Sequence, residues 1–215
     1  PYSINLVQGL VNAGVQLDST VLAAYESWCT ASVNDPDPGF WGHWPRYYAE
    51  MPVKQDWVQA AAKRCQTAVV VIGRSAGEDR ENTLKKGSFY LTNKEKALLD
   101  AVTTAFQKVV LVLNIGSIMD FAEIDAYGDK ISAILLAWQL GMESGNAVAN
   151  VLTGQVNPSG HLTDTIAKTY ADYPAQNFGN KAENHYTEDI FVGYRYFETF
   201  APERVLYPFG YGLSY

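Results

Sequence analysis

The chain has 215 residues, of which 47% are hydrophobic and 18% charged, a balance typical of folded globular proteins, so composition excludes an intrinsically disordered chain. A formal net charge of −7 gives no basic surface, so we expect neither nucleic acid nor a membrane as a partner. No apolar run approaches the roughly 20 residues that cross a bilayer. Cys29 and Cys65 are too few for a disulfide framework and lack metal-ligand spacing, so we expect two reduced, partly buried thiols and neither a metal nor a cofactor.

The N-terminal part of the chain predicts two helices separated by an aromatic loop. Apolar residues recur at helical spacing in 4–13 and 54–65, so we expect a helix in each. The segment 35–52 contains four prolines and five aromatic side chains. Proline restricts the backbone and removes a donor, so this segment is predicted to be a rigid, aromatic-bearing loop.

Three short apolar runs predict strands buried on both faces. They cover 68–73, 109–114 and 131–138, where strict apolar/polar alternation is absent and the runs are too short for helices. The last forty residues are rich in tyrosine and phenylalanine, and we expect 186–200 to be an extended or hairpin segment.

Helical patterns alternate with these strands. The sequence Thr92-x-x-Glu95 has the form of a capping box and opens a helix that runs to residue 106. Further helices are predicted at 120–127 and 143–152. This alternation predicts an α/β fold, a three-layer α/β/α sandwich with a mainly parallel sheet of about five or six strands.

The carboxyl ends of parallel strands are where α/β sheets bind ligands. After the first predicted strand, residues 73–81 carry the carboxylates Glu78, Asp79 and Glu81. This segment is not a dinucleotide-binding loop, because Ser75 stands where G-x-G-x-x-G requires a glycine, and a Walker-type Gly-Lys-Ser/Thr is also missing. A nucleotide- or flavin-binding module is therefore disfavoured.

Each candidate site residue also has a purely structural interpretation. Glu78 has Arg74 and Arg80 nearby in the sequence, which would tune a proton-transferring carboxyl; the same residues would equally form a surface turn with weak salt bridges. Trp41 and Trp44 are either stacking platforms for a sugar ring or packing anchors. The structural interpretation is favoured for the remaining candidates, which are Glu143, His43, His161 and His185.

Six segments of the chain carry a family resemblance when they are taken in order. They are AVVVIGRSAGEDREN (68–82), GSFYLTNKEKALLDAV (87–102), VVLVLNIGS (109–117), ILLAWQLGMESGNAVANVLTGQVNPSGHL (134–162), EDIFVGYRYFETF (188–200) and YPFGYGLSY (207–215). Together they resemble the second, α/β-sandwich domain of glycoside hydrolase family 3, the β-glucosidase type. The ordered pair NPSG and FGYGLSY is the most specific part of the resemblance.

The resemblance implies a retaining β-glycosidase that removes terminal, non-reducing β-D-glucosyl residues from oligosaccharides or glycosides. In this family one carboxyl group is a nucleophile on a (β/α)8 barrel and the other is an acid/base in a loop of the sandwich domain. The matching residue here is Glu78. We therefore expect residues 1–215 to form one sandwich domain, a fragment of a larger enzyme whose barrel is its partner, and to be inactive in isolation.

Two departures from the family pattern keep alternatives open. Relatives place one or two residues between the glutamate and the Asp-Arg pair, whereas Glu78, Asp79 and Arg80 are contiguous, so Glu81 is the reserve acid/base. Thr163 stands where the family usually has proline. Arg80 is expected to organise the loop and to be a charge partner of the acid/base, and both Asp79 and Arg80 are expected to shape the site or bind substrate.

The aromatic loop and the alternative function complete these expectations. Trp41 and Trp44 are expected to shape the side of the site that binds the leaving group. The alternative is a non-catalytic carbohydrate-binding or scaffold domain of the same fold; retention of Gly77-Glu78-Asp79-Arg80 favours catalysis. The compartment is open between cytoplasm and secretion, with the cytoplasm favoured.

Overall fold

The structure is a computed structural model that describes residues 2–31, 45–76, 82–175, 182–183 and 185–213. The chain divides into two compact units. The first comprises residues 1–119 and 126–155, and the second comprises 120–125 and 156–215.

The first unit is built on a parallel sheet in the order β1-β2-β3. The strands are β1 (Thr67–Arg74), β2 (Lys108–Ile115) and β3 (Ala133–Leu136). All three predicted strands are therefore confirmed, and so are the α/β class and the parallel pairing. Among the described residues the parallel sheet has three strands, fewer than the five or six expected, because the second unit forms its own antiparallel pair.

Within the described residues, five α-helices belong to the first unit, and four of them match predictions. Those four are α1 (Leu6–Asn12), α3 (Gln55–Ala62), α4 (Asn93–Ala105) and α6 (Ser144–Leu152). The fifth, α2 (Ser19–Thr30), was not predicted. Asp18 caps α2 by accepting hydrogen bonds from the amides of Thr20 and Val21, at 2.9 and 3.0 Å.

Helices cover both faces of the sheet. On one face α4 packs against β1 and β2. On the other face Val112 of β2 clusters with Val148 of α6 and with Leu6 of α1. The layered arrangement of helix, sheet and helix follows from this packing.

The two edge strands are less buried than predicted. Val69 and Val71 of β1 are 38% and 42% exposed, whereas Leu111 and Leu113 of the central strand β2 are fully buried. The prediction of a strand buried on both faces is therefore confirmed for β2. It is wrong for β1, because β1 has a neighbouring strand on only one side within the described residues.

Helices α1 and α6 approach each other through glycines. A Cβ atom on Gly9 would lie 2.0 Å from the carbonyl oxygen of Gly145, and a Cβ atom on Gly145 would lie 1.9 Å from the carbonyl oxygen of Asn5. The amide of Gly145 donates to Ile4 at 2.9 Å, and the amide of Ile4 donates to Met142 at 2.8 Å. The N-terminal segment is therefore tied to the start of α6 by backbone contacts that leave no room for a side chain.

The second unit contains a small antiparallel pair and two helices. These elements are α5 (Ala122–Asp125), β4 (Ile166–Ala167), α7 (Tyr194–Phe200) and β5 (Val205–Tyr207). The expectation of an extended or hairpin segment over 186–200 is wrong for its C-terminal half. That half is helical because Phe197, 1% exposed, packs with Ala167 and Ala201, and residues 197 and 201 share one helical face.

The two residues that follow the NPSG motif bond to the FGYGLSY motif in the second unit. The amide of Leu162, beside NPSG, donates to the carbonyl of Tyr211 in FGYGLSY at 2.8 Å, and the amide of Gly210 donates back to Leu162 at 2.8 Å. His161 Nδ1 lies 2.7 Å from the carbonyl oxygen of Gly210. These contacts give both motifs a structural role.

Within the described part of the chain, no helix is long and apolar enough to cross a membrane, and no three or more potential metal ligands cluster together. Neither Cys29 nor Cys65, both within the described residues, forms a disulfide. Cys65 is partly buried as expected, but Cys29 is exposed.

Candidate functional site

The site predicted from the sequence lies at the carboxyl edge of the parallel sheet. There Arg74, the last residue of β1, pairs in register with Ile115, the last residue of β2. The predicted site residues themselves, which are Glu78, Asp79, Arg80, Glu81, Trp41 and Trp44, lie outside the described residues. The structure instead describes the residues that flank them.

The start of the acidic segment is bonded to the part of the aromatic loop that follows Trp44 in the sequence. The amide of Ser75 donates to the carbonyl of Arg46 at 2.7 Å, and its hydroxyl donates to the carbonyl of Pro45. Pro45 follows the segment that carries Trp41 and Trp44. The two predicted parts of the site therefore adjoin at their described ends.

Ala76 is held at the same edge by the segments after β2 and β3. The side-chain amide of Gln139 donates to the carbonyl of Ala76 at 3.4 Å. A Cβ atom on Gly116 would lie 2.3 Å from the Cβ of Ala76. Glycine at position 116 therefore allows the chain after β2 to approach the start of the acidic segment.

The end of the acidic segment is attached through Asn82. Its side-chain amide nitrogen donates to the carbonyl of Ile118 at 2.6 Å, beyond the end of β2. Its side-chain oxygen accepts from the hydroxyl of Ser88 at 2.6 Å and from the amide of Thr83 at 3.1 Å. Residues 77–81 are thus bounded on both sides by residues that bond to the sheet edge.

A buried ion pair lies beneath this edge. The guanidinium of Arg74 makes two hydrogen bonds to the carboxylate of Glu95, at 2.6 and 2.9 Å, and both side chains are about 95% buried. Arg74 also donates to the carbonyls of Gly73 and Ser88, at 2.8 and 3.2 Å. Glu95 accepts from the amide of Thr92 at 2.7 Å, which completes the predicted capping box of α4.

This pairing changes the role expected of Arg74. We expected Arg74 to be a tuning charge for Glu78, but its guanidinium is paired with Glu95. The signal was available in β1, where Val70, Ile72 and Arg74 alternate on the buried face. A buried arginine requires a carboxylate partner, and the capping glutamate of the following helix supplies it. We call Arg74, Asn82, Ser88 and Glu95 the sheet-edge network.

A second carboxylate of note is Glu50, in the described part of the aromatic loop. It accepts hydrogen bonds from the hydroxyl of Tyr25 and from the amide of Met51, both at 2.8 Å. Burial raises the pKa of the Glu50 carboxyl, and the nearby negative charge of Glu95 raises that pKa further against the lowering effect of the two hydrogen bonds. Burial and the adjoining Glu50 charge also raise the pKa of Tyr25.

The remaining described candidates have structural roles, as expected. Glu143 is exposed and accepts hydrogen bonds from the hydroxyl of Tyr2 and the side-chain amide of Asn146, which lower the pKa of its carboxyl. His185 lies 3.1 Å from Glu183 in an exposed pair. His43 is outside the described residues.

The geometry defines an α/β domain whose sheet edge holds both ends of an acidic segment. Residues 1–215 match the family model of the glycosyl hydrolase family 3 C-terminal domain, and the chain belongs to that family. The resemblance inferred from the motifs is therefore confirmed.

The relatives and solved structures that this chain resembles include β-glucosidases. A β-glucosidase from Ruminococcus albus is 46% identical over 98% of this chain and 22% of its own length. The crystal structure of a β-glucosidase from Paenibacillus barengoltzii superposes with a TM-score of 0.94 at 42% identity, over 100% of this chain and 24% of that one. For β-glucosidase 3B from Thermotoga neapolitana in complex with glucose, the TM-score is 0.85 at 34% identity, over 100% and 31%. The chain thus spans between a fifth and a third of the length of these proteins.

Proposed function

We propose that this chain is the acid/base-bearing domain of a retaining β-glucosidase that hydrolyses terminal, non-reducing β-D-glucosyl residues. The observation that carries the proposal is the family match over all 215 residues. Because the chain spans 22% of its R. albus relative, the proposal includes a larger polypeptide in which residues 1–215 are one domain and a (β/α)8 barrel supplies the nucleophile.

Glu78 is the proposed acid/base. It follows Ala76 by two residues and precedes Asn82 by four, and both flanking residues bond to the carboxyl edge of the sheet. That edge is where α/β folds place their ligand-binding residues. The described anchors support Glu78 because a general acid must be held in a fixed position relative to the glycosidic oxygen.

The proposed chemistry is a double displacement. Glu78 donates its proton to the glycosidic oxygen while the bond from that oxygen to the anomeric carbon breaks, and the barrel carboxylate forms an ester with the anomeric carbon. Glu78, now a carboxylate, takes a proton from water as the water oxygen attacks the anomeric carbon and the ester bond breaks. Retention requires the two carboxyl groups to lie about 5–5.5 Å apart.

The other predicted site residues have supporting roles in this proposal. Asp79 and Arg80 organise the loop around Glu78. Trp41 and Trp44 form an aromatic platform for the leaving group, and the bonds from Ser75 to Pro45 and Arg46 support this assignment because they join the two segments. Since the nucleophile lies on the barrel, the 215-residue chain alone has no turnover.

The test is the dependence of kcat/KM on the leaving group in the full-length enzyme. Glu78→Ala should lower kcat/KM for alkyl or poorly activated aryl β-glucosides by about 10²–10⁴-fold, the usual contribution of a general acid. A dinitrophenyl β-glucoside should be hydrolysed with nearly unchanged kcat/KM, because its leaving group needs no proton.

A matched variant and the parent enzyme complete the test. Glu81→Ala should behave like the parent; if it shows the leaving-group signature instead, the acid/base is Glu81. If the parent enzyme hydrolyses no β-glycoside, the alternative of a carbohydrate-binding or scaffold domain replaces the catalytic one.

A further inference from the structure

The start and the end of the acidic segment meet at one buried serine. Arg74, at the end of β1, donates from Nε to the carbonyl oxygen of Ser88 at 3.2 Å. The hydroxyl of Ser88 donates to the side-chain oxygen of Asn82 at 2.6 Å. Ser88 is 7% exposed; its contact with Arg74 is buried and its contact with the exposed Asn82 is partly buried.

Ser88 itself is held by a compact turn. Its amide donates to the carbonyl of Lys85 at 3.2 Å, and its hydroxyl accepts from the amide of Thr83 at 2.9 Å. Gly87 has a φ of +81°, and a Cβ atom there would lie 2.1 Å from the ring of Tyr47. Phe89, the residue after Ser88, is 8% exposed. The hydroxyl of Ser88 therefore has little freedom to move away from Asn82.

The same contact extends to the neighbouring strand and to helix α4. Asn82 bonds across to Ile118 beyond β2, and Arg74 bonds to Glu95 on α4. The residues on the two sides of 77–81 are therefore bonded to the sheet edge and to α4, and Ser88 links the two sides. A loop whose ends are fixed relative to each other has fewer accessible conformations than one whose ends are independent.

We propose that Ser88 is a positioning residue for the acid/base, acting through Asn82 and Arg74 on the segment that contains Glu78. The inference rests on the proposed function. Ser88 touches neither substrate nor nucleophile in this account, so its removal affects the proton transfer and leaves the other contacts to substrate in place. Small misplacements of a catalytic group are costly, about 10²-fold for an error near 1 Å.

The experiment measures the leaving-group dependence of kcat/KM in the full-length enzyme carrying Ser88→Ala. We expect a loss of about tenfold or more for poorly activated aryl β-glucosides and less than about twofold for the dinitrophenyl β-glucoside. Ser88→Thr, which keeps the hydroxyl, should restore most of the loss. Ser132→Ala is the matched control, because the hydroxyl of Ser132 accepts from Val109 at the opposite edge of the sheet; it should leave both substrates unchanged.

The outcomes separate this inference from the proposed function. An equal loss on all substrates, or no loss, would overturn the role of Ser88. Azide should not accelerate Ser88→Ala, because the carboxylate of Glu78 is still present. If Ser88→Ala does not fold, Asn82→Ala cuts the same link and must show the same signature. If Glu78→Ala itself lacks the leaving-group signature, the proposed function fails; if Glu78→Ala shows it and the Ser88 and Asn82 variants do not, the positioning role alone fails.

Discussion

The sheet-edge network and the junction of α1 with α6 both fix chain segments that are distant in sequence. They do so by different physical means. At the sheet edge the contacts are a buried ion pair between Arg74 and Glu95 and a partly buried hydrogen bond between Ser88 and Asn82. At the junction the contacts are backbone atoms brought together by Gly9 and Gly145, with an exposed bond between Tyr2 and Glu143.

The difference shows which polar side chains fix the geometry of the residues around them. Glu95 and Glu143 both lie at the start of a helix, yet Glu95 is buried against Arg74 and Glu143 is exposed. A buried charge is tolerated when it is fully paired, and it then fixes geometry strongly. The sheet-edge network contains residues on both sides of the segment proposed for catalysis, whereas the glycine contact holds the scaffold.

The largest effect expected is from breaking the buried pair. Glu95→Ala leaves Arg74 buried without its carboxylate, so the free energy of unfolding should fall by about 3–5 kcal/mol. Urea denaturation of the 215-residue chain, followed by circular dichroism, measures the change.

Two further variants sharpen this prediction. The double variant Arg74→Met with Glu95→Gln keeps the capping acceptor and removes the charge, so it should recover most of the lost stability. Glu143→Ala should change stability little, because its bonds are exposed to water. If Glu95→Ala were as mild as Glu143→Ala, the contrast between the two regions would be wrong.

The second effect expected is from crowding the glycine contact. Gly9→Ala places a Cβ atom 2.0 Å from a backbone oxygen, so the helices must separate. Overpacking of this kind typically costs about 1–3 kcal/mol. Gly141→Ala is the control: it meets no atom within 4 Å and needs no positive φ, and it should be neutral or slightly stabilising. Equal unfolding midpoints for the two variants would contradict the close approach of α1 and α6.

The smallest effect expected concerns the pH dependence of stability at Glu50. Because burial raises the pKa of Glu50, the folded chain binds a proton there more tightly than the unfolded chain. The associated stability is fully present below the unfolded pKa of about 4.3 and is lost as the pH rises through the raised value. Glu50→Gln should therefore become progressively more stable relative to the parent as the pH rises from about 4 to 7.

The control for Glu50 is the exposed residue Glu26 on α2. Glu26→Gln removes the same charge from the surface, so its stability relative to the parent should vary less over this pH range. A stability difference for Glu50→Gln that is flat with pH, or that falls as the pH rises, would show that burial does not disfavour the Glu50 carboxylate.

The parts of the fold that were predictable have strong local signals. The three strands follow from apolar runs, and α4 follows from a capping box whose two hydrogen bonds are both present. Helix α2 was missed because none of its residues is fully buried, so its apolar side chains mark no clear face. The helix at Tyr194–Phe200 was not predicted because aromatic residues favour strands. The segment is helical because this places Phe197 in a buried position.

The position of the candidate site could be predicted from the sequence, but the hydrogen bonds of the sheet-edge network could not. The sequence placed the acidic segment at the end of a strand, which the structure supports through Ser75, Ala76 and Asn82. The link through Ser88 depends on a contact between residues 74, 82 and 88 that no spacing rule reports. The alternation of Val70, Ile72 and Arg74 could have identified Arg74 as buried, but its partner required the position of α4.

The central claim is that Glu78 supplies and removes the proton in the reaction. The most direct test adds azide to the full-length Glu78→Ala enzyme acting on a dinitrophenyl β-glucoside. We expect azide to accelerate turnover and the product to be the β-glucosyl azide, because the small anion attacks the glycosyl-enzyme without needing a base. An unaccelerated reaction, or glucose as the sole product, would contradict the assignment of Glu78.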